Sequence, residues 1–181
     1  PVTSADRAVG WIARSGPGEY FTSIDDDIFL YPEQVKQLFR ALLSRPGSAH
    51  GHQGERYVGS DTPPVAVSPD EPPAWEFCLR RFEGHVDVIN CVYAFTREHV
   101  AEMYRLAGQA QMDIGTLANG EDILLSFSGQ EGPMIHDVGL VADCLTTHRM
   151  GVATWRTRKD FFLERAALFL KLRALKKLSG T

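Results

Sequence analysis

The sequence predicts an α/β fold, because apolar segments typical of strands alternate with amphipathic helices along the chain. In the clearest case the β-prone segment Tyr20–Ile24 ends at three aspartates, and Pro32 then opens a helix with apolar residues at helical spacing up to Leu43. The pattern repeats at 85–95, a strand or strand pair that precedes a helix capped by Thr96 and ending near Gly108. The 181 residues are 44% hydrophobic and 23% charged, which is typical of a globular protein with a substantial core.

Four further elements follow from local patterns. Thr3 or Ser4 caps a short predicted helix, which the breaker "SGPG" ends. The stretch "NGEDILLSF" predicts a helix with Asn119 as its cap. "PMIHDVGLVAD" predicts a strand, and 159–178 predicts a basic amphipathic helix.

Residues 44–75 form the irregular part of the single predicted domain, 1–181. This segment holds six prolines, several glycines and "HGHQGERY", and we expect a mobile surface loop with a short strand near Tyr57. His50 and His52 stand at alternate positions, so they are either metal ligands or part of the polar loop. The pair His148–Arg149 is either a surface turn or a group near a bound diphosphate.

Composition excludes some functions and leaves others open. A net charge of −4 gives no electrostatic footprint for nucleic acid. The three cysteines, Cys78, Cys91 and Cys144, show no metal-ligand spacing and favour reduced thiols in a cytoplasmic protein. The basic C-terminal helix is either a solvated face or a peripheral contact with an anionic membrane surface.

The three adjacent aspartates raise the main chemical question. Asp25, Asp26 and Asp27 follow a strand and precede a helix, which is where ligands bind in α/β sheets. Adjacent carboxylates repel one another, but Mg²⁺ and Mn²⁺ prefer oxygen ligands and share them with substrate phosphates. The pattern therefore predicts either a cation and diphosphate site or a solvated turn.

A second acidic motif is "NGED". Two acids, Glu121 and Asp122, lie in the first turn of a predicted helix, which is ordinarily a stabilising feature. One of them could instead face a pocket, where a carboxylate can act as a base or stabilise a cationic sugar transition state.

Together these motifs resemble the catalytic region of GT-A glycosyltransferases, and most closely the exostosin-like family. "IDDD" (24–27) is similar to the family's "LDDD" metal motif, "VINCVYAF" (88–95) to a strand that precedes a helix, and "NGEDI" (119–123) to "NCEDI", with Gly120 in place of the cysteine. The likeness spans about residues 20–170 and rests on the order of the motifs.

The resemblance implies a GT-A-like mixed sheet flanked by helices, with the N-terminal nucleotide-binding strands partly missing before Tyr20. It implies transfer of a sugar from a UDP-sugar to a glycan or other hydroxyl acceptor, with Mn²⁺ or Mg²⁺ as cofactor. Asp25 and Asp27 would bind the metal, and Asp25 with Asp26 the nucleotide.

The resemblance also assigns catalytic residues. Asp122 would lie near the reacting carbon, beside Glu121, and Arg165 would correspond to a diphosphate-binding arginine. The histidine of the family's C-terminal element has no counterpart here, so Arg156, Arg158 and Lys159 are alternatives for that contact.

Three other functions remain open at this stage. A HAD-type phosphatase also uses aspartates after a strand, but Phe29 stands where that family has Thr or Val. A nucleotidyltransferase shares the sheet and the metal chemistry. A degenerate nucleotide- or carbohydrate-binding module would keep the fold without turnover. Trp75 and Trp155 are either core residues or an acceptor-sugar platform.

Overall fold

The computed structural model of the chain describes residues 17–62, 74–78, 82–117, 119–143 and 154–178. The predicted helix after Thr3, Cys144 and the pair His148–Arg149 lie outside these residues. Within them the fold is mixed α/β, which confirms the predicted fold class at that level.

The strands are short. In chain order they are β1 (Tyr20–Ile24), β2 (Ile28–Phe29), β3 (His50–Gly51), β4 (Gly54–Tyr57), β5 (Trp75–Cys78), β6 (Gly84–His85), β7 (Val88–Ile89), β8 (Val92–Thr96), β9 (Met134–Ile135) and β10 (Ala142–Asp143). The helices are α1 (Pro32–Ser44), α2 (Arg97–Gln109), α3 (Glu121–Phe127), α4 (Thr154–Thr157) and α5 (Phe161–Leu178), with a 3₁₀ turn at Ile114–Thr116.

The main sheet has five strands in the order β1-β8-β3-β9-β6. Its β3 and β9 run parallel and its other pairs are antiparallel, so the sheet is mixed. An antiparallel sheet, β5-β4-β7, and a two-stranded ribbon, β10-β2, accompany it.

Helices cover both faces of the main sheet. The side chains of β8 show this, because they point alternately into two different hydrophobic clusters. Val92 and Ala94 point into a cluster with Leu38 and Leu42 of α1. Tyr93 and Phe95 point into the larger cluster, which contains the buried residues of α2, α3 and α5. Since successive side chains of a strand face opposite sides, one buried strand serves two cores.

Both long predicted helices before residue 110 are confirmed. Pro32 opens α1, and the side chain of Gln34 accepts a hydrogen bond from the backbone N–H of Tyr31 at 2.8 Å. Thr96 caps α2, accepting a bond from His99 N–H at 3.4 Å. The C-terminal helix is also confirmed, although it begins at Phe161, two residues after the predicted start.

The predicted surface loop over 44–75 is wrong for its first part. His50 and His52 are 0% and 3% exposed, and both ring nitrogens of His50 are hydrogen-bonded, one to His136 at 2.8 Å and one to the carbonyl of Arg45 at 2.9 Å. Strands β3 and β4 therefore belong to the sheets. The prediction was wrong because glycine is typical of loops but is also found where strands pack closely. A Cβ on Gly51 would lie 2.7 Å from the carbonyl oxygen of Val92, so this glycine permits close strand packing.

Two smaller predictions also change. The strand predicted at 133–143 is two short strands, β9 and β10, separated by a loop whose carbonyls accept hydrogen bonds from Gln34. Trp75 is 3% exposed and packs against Tyr57 and Phe169, so it belongs to the core and not to an exposed sugar platform.

In the described part of the chain no helix is both long enough and apolar enough to cross a membrane.

Candidate active site at one end of the mixed sheet

The aspartates form a tight turn between β1 and β2. The N–H of Asp25 donates to the carbonyl of Cys91 at 2.9 Å, and the N–H of Ile28 closes the turn by donating to the carbonyl of Asp25 at 3.1 Å. Asp25 and Asp26 are exposed and Asp27 is half-buried. The three carboxylates are thus held close together at one end of the main sheet.

Asp25 is exposed as a residue, but its carboxyl group is enclosed on the side of Cys91. Burial of this group raises its pKa to about 6; the hydrogen bond from the Cys91 thiol opposes the shift, and the charges of Asp27, Asp122 and Asp26 add to it. Like charges gathered at one place are characteristic of cation sites and of active sites.

Cys91 is held in an unusual backbone conformation. Its φ is 64°, in the left-handed region that non-glycine residues seldom adopt. The conformation directs its sulfur between two partners, the Asp25 carboxyl group and Gln53 Nε2 at 2.9 Å. Burial raises the pKa of the thiol, so Cys91 stays protonated and donates a hydrogen bond to the Asp25 carboxylate. Strained residues of this kind cluster at functional sites.

Asp122 lies in the first turn of α3 and is 5% exposed. Its carboxylate accepts two hydrogen bonds from Arg165, at 2.9 and 2.7 Å, and one from the N–H of Ile123 at 2.8 Å. Arg165, on α5, is 4% exposed. Paired, hydrogen-bonded charges of this kind can be buried, whereas a lone one cannot.

Two other residues of the NGED motif take different places. Asn119 does not cap α3: its side chain accepts a hydrogen bond from Arg165 at 3.3 Å and donates one to the carbonyl of Phe161 at 3.3 Å. Glu121 is half-buried, and its charge acts on Arg165. The predicted Asn119 cap is therefore wrong, and the motif instead joins α3 to α5.

Gly120 begins α3 with a φ of 103°. A Cβ at this position would collide with Cδ2 of Leu168 on α5, besides forcing a side chain into the left-handed region. The cysteine that the family resemblance leads one to expect would therefore be strained here. The glycine allows α3 and α5 to approach closely enough for Asp122 to reach Arg165.

Glu55 completes this cluster from β4, and no local sequence pattern identifies it. It is 2% exposed, accepts a hydrogen bond from Asn90 Nδ2 at 2.6 Å, and lies 3.5 Å from Nη2 of Arg165. The prolines and glycines of 44–75 predict a mobile loop at this position. The burial of Glu55, next to the closely packed Gly54, can be recognised only once the pairing of β4 with its neighbouring strands is known.

The two acidic motifs thus converge on one region. Asp122 is near enough to Asp25 for its charge to contribute to the raised pKa of Asp25. The neighbours Asn90 and Cys91 connect them, because Asn90 contacts Glu55 and Cys91 contacts Asp25. Arg158 instead forms an exposed ion pair with Glu164, Lys159 is exposed, and the side chain of Arg156 lies outside the described part.

The residues at the turn fit a hard divalent cation. Among the described residues, no group of three or more His, Cys, Asp or Glu side chains is arranged to enclose a metal. Mg²⁺ and Mn²⁺ sites, however, commonly use one or two carboxylates together with substrate phosphates. The donor set of Asp25 and Asp27, with its mutual repulsion, meets that description.

No protein-family model matches this sequence, and no curated protein matches it either.

The shifted pKa of Asp25 predicts a pH-dependent stability. Because the folded pKa of about 6 lies above the ordinary 3.8, the contribution of this carboxyl group is favourable below pH 4 and is lost as the pH rises through 6. After discounting for solvent screening, we expect a loss of about 1 kcal/mol. In Asp25→Asn this loss disappears, so urea unfolding at pH 4.5 and 7.5 should show a smaller difference than in the wild type.

Asp26→Asn provides the control, since it removes an exposed carboxylate from the same turn. An unchanged pH dependence in Asp25→Asn would contradict the assignment of the shifted group.

Proposed function

We propose that this chain carries the metal- and acceptor-binding part of a GT-A-like glycosyltransferase. The enzyme would transfer a sugar from a nucleotide-diphosphate sugar, by resemblance a UDP-sugar, to a glycan or another hydroxyl acceptor. The observation that supports this is the convergence of Asp25 and Asp122, two motifs far apart in sequence, at one end of a mixed sheet.

In this proposal Asp25 and Asp27 hold Mn²⁺ or Mg²⁺. Asp26, together with Asp25, contacts the nucleotide. The bound cation would neutralise the aspartates and stabilise the diphosphate leaving group. Cys91 and the turn backbone keep Asp25 in place. Because the pKa of Asp25 is about 6, the cation competes with a proton at this carboxylate below that pH.

Asp122 supplies the second charge. Three donors bind its two oxygens and hold the carboxylate in place. A fixed carboxylate can stabilise positive charge that develops on the anomeric carbon of a sugar, and Glu121 beside it is less buried and can approach an acceptor hydroxyl. Arg165 positions Asp122 through the two hydrogen bonds of the bidentate pair.

The test is calorimetric titration of UDP with and without Mn²⁺, in the wild type and in Asp27→Asn. We expect Mn²⁺ to strengthen wild-type binding at least 10-fold, about 1.4 kcal/mol, and to have no effect in the variant. Asp61→Asn, which removes an exposed carboxylate outside the turn, should bind like the wild type.

Equal Mn²⁺-dependent binding in Asp27→Asn would sink the metal assignment. If UDP does not bind at all, paramagnetic broadening by Mn²⁺ alone, followed by NMR at the amides of the aspartate turn, separates a missing cation site from a missing nucleotide site.

One observation favours a second candidate, a nucleotide- or carbohydrate-binding module without turnover. Both oxygens of Asp122 are engaged by Arg165, and the pair is almost fully buried. Release of UDP from a panel of UDP-sugars with Mn²⁺ distinguishes the two: the enzyme releases UDP and loses this activity in Asp122→Asn, whereas the module binds UDP and releases none.

A further inference from the structure

Arg165 faces two buried carboxylates, Asp122 and Glu55. Asp122 receives both hydrogen bonds of the bidentate pair, and Oε2 of Glu55 lies 3.5 Å from the same Nη2. The three side chains are 4%, 5% and 2% exposed, in the order Arg165, Asp122, Glu55. If both carboxyl groups were ionised, one positive charge would balance two negative ones in the protein interior, which is strongly unfavourable.

The hydrogen bonds decide which carboxyl group carries a proton. Asp122 accepts three hydrogen bonds, and bonds to the ionised form favour ionisation. Glu55 accepts one short hydrogen bond, from Asn90, and among the described residues its Oε2 has only the longer contact of 3.5 Å with Nη2 of Arg165. The proton therefore belongs to Glu55.

The surroundings of Glu55 also favour its protonated form. Its register partners, Phe77 on β5 and Val88 on β7, carry no charge. The charges that face it come from Arg165 on α5 and Asp122 on α3. Burial raises the pKa of Glu55; the guanidinium of Arg165 offsets only part of the shift, and the charge of Asp122 adds to it.

We propose that Glu55 is a positioning residue of this site, which holds a proton while Arg165 is paired with Asp122 and becomes the partner of Arg165 when a ligand engages Asp122. Glu55 then releases its proton to solvent, and the guanidinium keeps a carboxylate neighbour throughout. The proposal rests on the proposed function only in naming the ligand, which would be a nucleotide-sugar donor.

The first experiment needs no ligand. Infrared spectroscopy at pH 7 should show the C=O stretch of a protonated carboxyl group in the wild type, and this band should be absent in Glu55→Gln. It should also be absent in Asp122→Asn, because Glu55 then becomes the buried carboxylate that faces Arg165 in the described part of the chain, and Glu55 ionises. Asp61→Asn is the matched control and should keep the band.

A wild-type spectrum without a Glu55-dependent band overturns the proposal, as does a band that persists in Asp122→Asn. Should Glu55→Gln fail to fold, ¹³C NMR of wild-type protein labelled at the glutamate carboxyls supplies the same answer. One glutamate should titrate above the rest, and its titration should move to lower pH in Asp122→Asn; a titration that does not move contradicts the coupling.

A second experiment tests the link to the ligand. UDP-N-acetylglucosamine with Mn²⁺ is titrated at pH 7 in buffers of different ionisation enthalpy, and the wild type should release about one proton more than Glu55→Gln. Equal proton release overturns the exchange of partners. If the nucleotide-sugar does not bind but the band is lost in Asp122→Asn, the coupling of Glu55 and Asp122 stands and the nucleotide-sugar donor is overturned as the ligand of this site.

Discussion

Replacement of Arg165 by methionine should lower the free energy of unfolding by about 3–5 kcal/mol, the largest effect we expect from any charged residue described here. Methionine keeps most of the apolar volume of the arginine but leaves Asp122 without its bidentate partner and Glu55 without a nearby cation. The cost comes from uncompensated charge in the interior and not from lost packing, so Arg165→Lys, which keeps a charge but cannot bind both oxygens in a fork, should cost less than methionine.

Urea unfolding at pH 7 measures this prediction. Arg105→Met is the matched control: it also removes a two-point contact with a carboxylate, that of Glu102 at 2.6 Å, but both side chains are solvent-exposed by 30% or more. An exposed pair contributes about 0.2–1 kcal/mol. Similar losses in the two variants would show that the Arg165 cluster is not a buried charge network.

Gly120→Ala should lower the free energy of unfolding by about 3 kcal/mol, from left-handed strain of about 1–2 kcal/mol together with overpacking of about 1–3 kcal/mol. The added methyl group meets Cδ2 of Leu168, so the Leu168 side chain must change its rotamer or α3 and α5 must separate. Separation of the two helices would move Asp122 relative to Arg165. We therefore expect the variant also to weaken Mn²⁺-dependent nucleotide binding, if the proposed function holds.

Gly108→Ala serves as the control for this substitution. Gly108 lies in α2, and a Cβ there meets nothing within 4 Å, so alanine should stabilise the protein by about 0.5–1 kcal/mol through helix propensity. The melting temperature and the free energy of unfolding in urea should therefore fall for Gly120→Ala and rise for Gly108→Ala. A neutral Gly120→Ala would mean that the α3–α5 contact adapts more easily than the geometry indicates.

The sequence predicted those elements whose signals are local. Alternation of apolar and polar residues predicts the strand Tyr20–Ile24, and helical spacing of apolar residues predicts the helix Pro32–Ser44. Capping chemistry predicts that Thr96 begins the next helix, and each of these elements occurs as expected. Asp25 and Asp122 were singled out in the same way, because clustered acids next to a strand or a helix start can be recognised in a short window. Their proposed chemistry remains a prediction.

Other features depended on contacts between distant segments. His50, Gly51 and Glu55 lie in a stretch that local rules assign to a loop, because glycine is equally typical of turns and of close strand packing. Arg165 looked like part of the polar face of a basic helix. Its burial follows from Asp122 and Glu55, which no spacing on α5 could reveal.

The sequence by itself therefore determined the α/β class, the main helices and the position of the aspartate turn, since propensity and periodicity act over a few residues. Only the tertiary structure decided that Asp25 and Asp122 share one end of the sheet, that Gly120 lets α3 approach α5, and that Glu55 joins the charge network. Desolvation and Coulomb interaction depend on distance in space and on burial, and these are set by packing.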